Sequence, residues 1–418
     1  MRGEQGDSTS VSDVKWLVLI LLVGFLIRIL FWTSARYPFS YDIMIFFLTG
    51  TNLVDGLNFY SFQVSHFSDF FNYGGIWYRL VFGGYIYAPP WGLDCSLLVL
   101  LCEGSLRLFG PTLYSFLALC DLGLALATYL LAMKYLTREK ALVAALLSVL
   151  SPLFYASGEG QFDVIPTLIS SLALMFLGGN PFLSGALLGI CIAYKYYAGL
   201  LLVAYSMLLL REKGRAHTFR FVLSSLIAPA IFILPFLIQD WKSYIFNMTF
   251  WNTWCGNTTF WLFAYRFLGL DWRTNERLFV NPALTAVHFG SILLTIASFL
   301  LVLREIRNGT NPVDLSLVSL LSILVFNKFV HPNYLCWIFP FLIVSLLRDP
   351  RGVTAKTAYV LVSMIPFYDW LGFEVGGISG SDIFRALLVP SVLLLLYLNI
   401  LRSLRKANSC THQSKLSG

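Results

Sequence analysis

Apolar residues in this chain of 418 fall in repeated blocks of about 15 to 20, separated by short clusters of charge, Pro and Gly. A helix rises about 1.5 Å per residue and a hydrocarbon core is about 30 Å thick, so such blocks predict helices that cross a bilayer. The pattern predicts an all-α polytopic membrane protein of about twelve transmembrane helices. The spans expected are residues 16–33, 112–133, 141–157, 163–178, 183–194, 196–210, 219–238, 283–303, 313–330, 333–347, 357–371 and 383–401. Residues 183–210 are long enough for one span, but a single span there would put every later cation-rich loop on the far side. The chain is therefore expected to make a short hairpin turning at Lys195. Residues 94–109 are apolar yet carry Glu103 and Arg107, and read as an amphipathic helix lying on the outer surface.

Charge orients the spans. The cations cluster at residues 134–140, 211–220, 304–314, 348–356 and in the tail from Arg402. All of these share a side with the N-terminus, which makes that side the cytoplasm. The organisation expected is a cytoplasmic tail over 1–15 and a transmembrane module over 16–238 with a long outer loop at 35–111 carrying interfacial helices. A second module follows over 239–401 with an outer loop at 239–282, then a cytoplasmic tail over 402–418. Residues 16–33 are too long for a signal-peptide core and have no small-x-small cleavage site, so they stay as the first span. The sequons at Asn247 and Asn257 face outward and could carry glycans; that at Asn308 lies in an inner loop.

Composition agrees with a membrane protein. Charged residues make up 12% and hydrophobic ones 57%, against about 25% and 45–50% in soluble chains. A net charge of +7 would suit nucleic acid, but the cations form loop clusters and no stripe, so no nucleic-acid partner is expected. The 7 Cys have no CxxC or zinc spacing and read as small core residues.

With this topology the unusual polar residues gather on the outer face. Asp42 follows the first span, Gln161 and Asp163 join the third to the fourth, Lys195 turns the hairpin, and Lys328 and His331 join the ninth to the tenth. Ionisable groups near a membrane are costly, which makes them functional candidates. Asp42 is the candidate general base, since a carboxylate can take a proton from an acceptor hydroxyl; it could instead cap the helix beginning near Ile43. Lys195, Lys328 and His331 are candidates for binding a phosphate, with Lys328 and His331 sharing a helix face at i, i+3. The alternatives are a snorkelling lysine and a capped, tight hairpin. Arg28, in the first span, either approaches the same phosphate or forms a buried pair. Asp163 is as good a helix cap as an acceptor ligand, and Gln161 suits sugar hydroxyls. Tyr41 and Tyr87 are candidate sugar contacts, Tyr87 opening a stiff Tyr-Ala-Pro-Pro-Trp stretch. Met44 stands where a DxD pair would need its second acid, and no metal or cofactor is expected.

The segments Gly56-Leu57-Asn58-Phe59-Tyr60, Tyr87-Ala88-Pro89-Pro90, Gly160-Gln161-Phe162-Asp163, Ala193-Tyr194-Lys195-Tyr196-Tyr197 and Phe326-Asn327-Lys328, with Tyr334 and Trp337, resemble the GT-C glycosyltransferases. The Lys195 and Asn327-Lys328 segments look most like the GPI mannosyltransferase that adds the first mannose, or its archaeal-type relatives. The resemblance implies a GT-C-like bundle and transfer of a hexose, mannose by preference, from a dolichyl- or polyprenyl-phosphate donor. The acceptor would be a glycan or glycolipid, or a protein-linked group, on the extracytoplasmic face. The membrane would be the endoplasmic reticulum in a eukaryote and the plasma membrane in an archaeon or bacterium. The alternative is a flippase for polyprenyl-linked sugars, but transporters usually hold ionisable groups near the midplane in related halves, and neither feature is visible here.

Overall fold

The computed structural model describes residues 11–34, 41–58, 60, 70–73, 76–79, 87–151, 160–249, 255–256, 258–270, 280–349, 353–364, 374–375, 378–379 and 384–416. Residues 36–40, Glu159 and Asn257 lie outside this set, as does the Tyr41 side chain. Helix α1 (Val11–Ser34) covers the first expected span. The loop after it holds α2 (Tyr41–Val54), an antiparallel hairpin of β1 (Phe70–Tyr73) and β2 (Ile76–Arg79), and α3 (Pro89–Leu101). Then come α4 (Leu106–Tyr135), α5 (Arg138–Leu150), α6 (Val164–Phe176), α7 (Pro181–Tyr194), α8 (Ala198–Glu212) and α9 (Arg215–Thr249). Short α10 (Trp261–Phe267) precedes α11 (Pro282–Glu305), α12 (Pro312–Phe326) and a 3-10 turn (Pro332–Ile338) that runs into α13 (Phe339–Arg348). Last are α14 (Val353–Met364), a two-residue hairpin of β3 (Glu374–Val375) and β4 (Ile378–Ser379), and α15 (Val389–Leu416).

Among the described residues each expected span overlaps a helix, and the fold is the all-α bundle that the apolar blocks imply. Among the described residues, 5 stretches are long and apolar enough to cross a bilayer: Val14–Trp32, Leu106–Tyr135, Arg215–Ile245, Pro282–Glu305 and Arg385–Arg405. The other expected spans fall on helices of 10 to 15 residues, short of the ~20 that cross the core untilted. Two are buried nearly all round: α12, where every residue from Ser316 to Leu321 is fully enclosed, and α13. These two lie in the protein core, whereas the longer helices expose many apolar side chains.

Local chemistry sets the boundaries. Helices α7, α11 and α12 each open on an Asn-Pro pair, where Asn180, Asn281 or Asn311 accepts a backbone N–H and the proline fixes the first helical residue. The hairpin between α7 and α8 turns at Lys195, whose extended backbone ends α7. Two expectations are corrected. Residues 94–109 are not one surface helix: Glu103 and Gly104 are both left-handed (φ 52° and 69°), so α3 ends at Leu101 and Arg107 belongs to the first turn of α4. Asn247 is not free to carry a glycan: α9 kinks at Asp240, and on its last turns the Asn247 amide is buried, donating to the Tyr60 and Ser243 carbonyls at 3.1 and 2.8 Å.

Two sets of polar contacts lie at opposite ends of the bundle. At one end Lys134 donates to the Met175 carbonyl, Lys140 to Leu347, and Arg211 to Ile306; Arg348 pairs with Asp314 and Arg405 with Glu305. The cation-rich loops thus meet one another. At the opposite ends of α6, α8, α12 and α13 lie Asp163, Lys195, Asn327 and the 3-10 turn.

Candidate active site

Asp42 sits in the first turn of α2, where the helix dipole favours a carboxylate. Helix α2 lies directly on α3: a Cβ at Gly50 would come 2.5 Å from the Cys95 carbonyl oxygen, so only glycine permits this approach. That contact sets Asp42 beside Tyr87, which precedes the Pro-Pro start of α3. The Tyr87 hydroxyl donates to Asp42 Oδ1 at 3.2 Å, and Gln161 Nε2 donates to Oδ2 at 2.6 Å. Gly160, at φ 85°, makes the turn that delivers Gln161. Burial raises the Asp42 pKa above its ordinary value, while the bonds from Tyr87 and Gln161 and the charge of Lys195 pull it back. The result is a carboxylate with more proton affinity than an exposed one.

Asp163 stands at the N-terminus of α6 but makes no capping bond. Its Oδ1 accepts from Trp337 Nε1 at 2.7 Å and lies 3.1 Å from the Lys195 ammonium; its Oδ2 accepts from Asn333 Nδ2 at 2.5 Å. Asn333 also donates to Gln161 Oε1 at 3.3 Å, which joins the two carboxylates through two amides. The Lys195 ammonium lies over the rings of Phe162 and Tyr334, 4.7 and 4.8 Å from their centroids. Tyr334, Trp337 and Tyr197 form a continuous stack beneath, with centroid spacings of 4.4 and 3.7 Å. Phe162 stacks on Trp91 at 4.5 Å. Lys195 is thus held on a rigid aromatic floor.

Asp42, Tyr87, Gln161, Asp163 and Lys195 therefore come together. His331 reaches this group through aromatic contact, its ring set edge-on to Tyr334 at 5.8 Å and to Phe329 at 4.8 Å. Lys328 is buried on a separate cluster: its ammonium is 3.4 Å from the Tyr265 hydroxyl, and Cys255 is its charge neighbour. Burial pulls its pKa down to about 8, and Cys255 raises it. Lys328 and His331 do not share a helix face, because α12 ends at Phe326 and the backbone is extended at Asn327 and again at His331. The extended run is held by Gly256, whose N–H bonds the Lys328 carbonyl, and by Thr258, which bonds Val330. Arg28 does not join the group: it is buried within α1, donating to Asp121 of α4 at 2.6 Å and to the Gly24 carbonyl at 2.9 Å.

Sequence reasoning passed over Asn333, whose neutral side chain and place after Pro332 suggested only a turn. It also passed over Asp94, which accepts from Tyr194 at 2.5 Å and which burial pushes up to about 6.

The described residues thus form a helical membrane bundle with a buried carboxylate and a lysine at one end. Residues 85–327 match glycosyltransferase family 87, and the chain belongs to that family. The matched stretch carries Tyr87, Gln161, Asp163 and Lys195; Asp42 precedes it and Lys328 follows it. Among curated proteins none matches the chain. Among solved structures, the Archaeoglobus fulgidus oligosaccharyltransferase is similar at 12% identity. Its form tethered to an acceptor peptide has a TM-score of 0.47 and its apo form 0.48, each covering 95% of this chain. The chain spans 55% and 56% of those two chains, little more than half of that protein.

Proposed function

We propose that this enzyme transfers a hexose, mannose by preference, from a polyprenyl-phosphate donor to a lipid-linked or protein-linked acceptor, with Asp42 as the general base. The acceptor hydroxyl loses its proton to Asp42 as its oxygen bonds the anomeric carbon. The bond from that carbon to the phosphate oxygen breaks, and the polyprenyl phosphate leaves with the electron pair. Lys195 is the cation for the leaving phosphate, Lys328 and His331 are the further groups for it, and the charge of the phosphate offsets that of the lysines where water is scarce. An ammonium has three donors, so Lys195 can keep Asp163 and take a phosphate oxygen as well. Tyr41, Tyr87, Gln161 and Asp163 are the groups for sugar and acceptor hydroxyls.

The observation that carries this reading is the setting of Asp42: a carboxylate made more basic by burial, oriented by two hydrogen bonds, and within electrostatic reach of Lys195. The extracytoplasmic sidedness is supported by the meeting of the cation-rich loops at the other end of the bundle. The test is transfer from a synthetic short-chain polyprenyl-phosphoryl-mannose in membranes holding the full chain. General-base catalysis is worth about 10²–10⁴-fold, so Asp42→Asn is expected to lose at least a hundredfold in rate. Near-normal turnover by Asp42→Asn would remove the assignment.

A further inference from the structure

Between the two carboxylates of the site runs a chain of four side chains: Asp42, Gln161, Asn333 and Asp163, linked at 2.6, 3.3 and 2.5 Å. Each primary amide has one accepting and one donating end, and the partners decide which way it faces. Asp163 is held by Lys195 and by the Trp337 N–H, both donors, so it is an acceptor. Asn333 must therefore present its NH₂ group to Asp163. The same NH₂ group donates to Gln161 Oε1, which leaves Gln161 only its own NH₂ to turn toward Asp42. A Gln161 amide turned the other way would set its oxygen against Asp42 and its nitrogen against that of Asn333. The first contact would be repulsive unless Asp42 carried the proton, and the second would set donor against donor in either case.

We infer that Asn333 is a positioning residue that fixes the polarity of the Gln161 amide, so that Asp42 is held in its proton-accepting form by the distant Asp163–Lys195 pair. Asn333 touches no reacting atom in this account; it acts through Gln161. The groups facing Asp42 from the surrounding elements are Tyr87 before α3, Gln161 and beyond it Asp163 before α6, and Lys195 between α7 and α8. Tyr334 of the 3-10 turn lies beyond Tyr87. The catalytic meaning of the chain rests on Asp42 being the base, whereas its effect on the charge state of Asp42 does not.

The substitution that separates polarity from packing is Asn333→Asp. An acid at 333 either repels or donates its one proton to Asp163; in both cases it offers Gln161 an acceptor, and Gln161 turns its oxygen to Asp42. The measurement is an infrared titration of full-length protein in lipid nanodiscs, labelled with ¹³C-carboxyl aspartate, with the Asp42 band identified by its loss in Asp42→Asn. Asn333→Asp is expected to raise the Asp42 midpoint by about one pH unit or more, a tenfold change in proton affinity. An unchanged midpoint in folded Asn333→Asp overturns the inference. If that variant does not fold, Asn333→Ala decides: a raised midpoint supports the inference and the wild-type midpoint overturns it. Because the titration needs no substrate, it stands apart from the transfer test, and an active Asp42→Asn enzyme would sink the base assignment alone.

Discussion

The Lys195 ammonium lies 3.1 Å from Asp163 Oδ1, with the two side chains 14% and 1% exposed. The cation assigned to the donor phosphate is thus already half of an ion pair. Removing one partner of a buried pair strands the other charge, at about 3–5 kcal/mol, while replacing both is often near neutral. Lys195→Met and Asp163→Asn should each lower thermal stability, and the double variant should recover most of it. Transfer should stay lost in the double variant if Lys195 binds the donor. Recovery of transfer together with stability would reduce Lys195 to a counter-ion.

Asp42 makes a second prediction, in pH. Its pKa in the folded chain is raised by burial, so between the ordinary carboxylate range and that raised value the folded state holds a proton that the unfolded state has released. Stability therefore falls as pH rises through this window. Transfer, which needs the ionised base, rises over the same window. Melting temperature and rate measured against pH should move in opposite directions. Asp42→Asn should flatten the stability slope; a slope unchanged by that substitution would mean that another group titrates.

A third prediction tests how α2 is placed. Gly50 is where α2 rests on the Cys95 carbonyl of α3, and a methyl group there has no room without moving a helix. Gly50→Ala is expected to cost about 1–3 kcal/mol, the usual range for overpacking, and to slow transfer by shifting Asp42 from Tyr87. Gly178→Ala, where nothing lies within 4 Å, should leave both unchanged. Equal behaviour of the two variants would show that α2 is not held by this contact.

The helices were legible because lipid and a buried core both demand long apolar runs, and the turn at Lys195 because one charge interrupts such a run. Asp42, Gln161, Asp163 and Lys195 could be picked out together because few charged or amide groups stand at the ends of apolar blocks. What escaped is what depends on a partner. Asp121 lies in the middle of an apolar block, and nothing local says that Arg28 of another helix will meet it. Asn333 is neutral, and its weight comes from joining two side chains that lie 172 and 170 positions away in the chain. The i, i+3 spacing of Lys328 and His331 implied a shared face only if the helix continued. Bonds from Gly256 and Thr258 hold the chain extended there instead, and that pairing has no local sequence signal.

Lys328 carries the last prediction. Its pKa is pulled down to about 8 by burial, against the pull of Cys255, so the free ammonium is lost as pH rises through 8. A phosphate diester beside it would favour the charged form, and donor binding above pH 8 should then take up a proton. The donor KM is therefore expected to rise roughly tenfold per pH unit above that point if one proton is taken up, with kcat changing less. Lys328→Met should raise KM at neutral pH and remove the alkaline dependence. Stability has the opposite sense: the unfolded lysine holds its proton up to its ordinary, higher pKa, so the wild-type fold gains stability between about 8 and that value. The check is donor KM and melting temperature over pH 6.5 to about 10.5 for both proteins. A KM with the same pH dependence in Lys328→Met as in the wild type would take Lys328 out of the phosphate site, and a wild-type melting curve flat across that range would mean that its ammonium is not depressed.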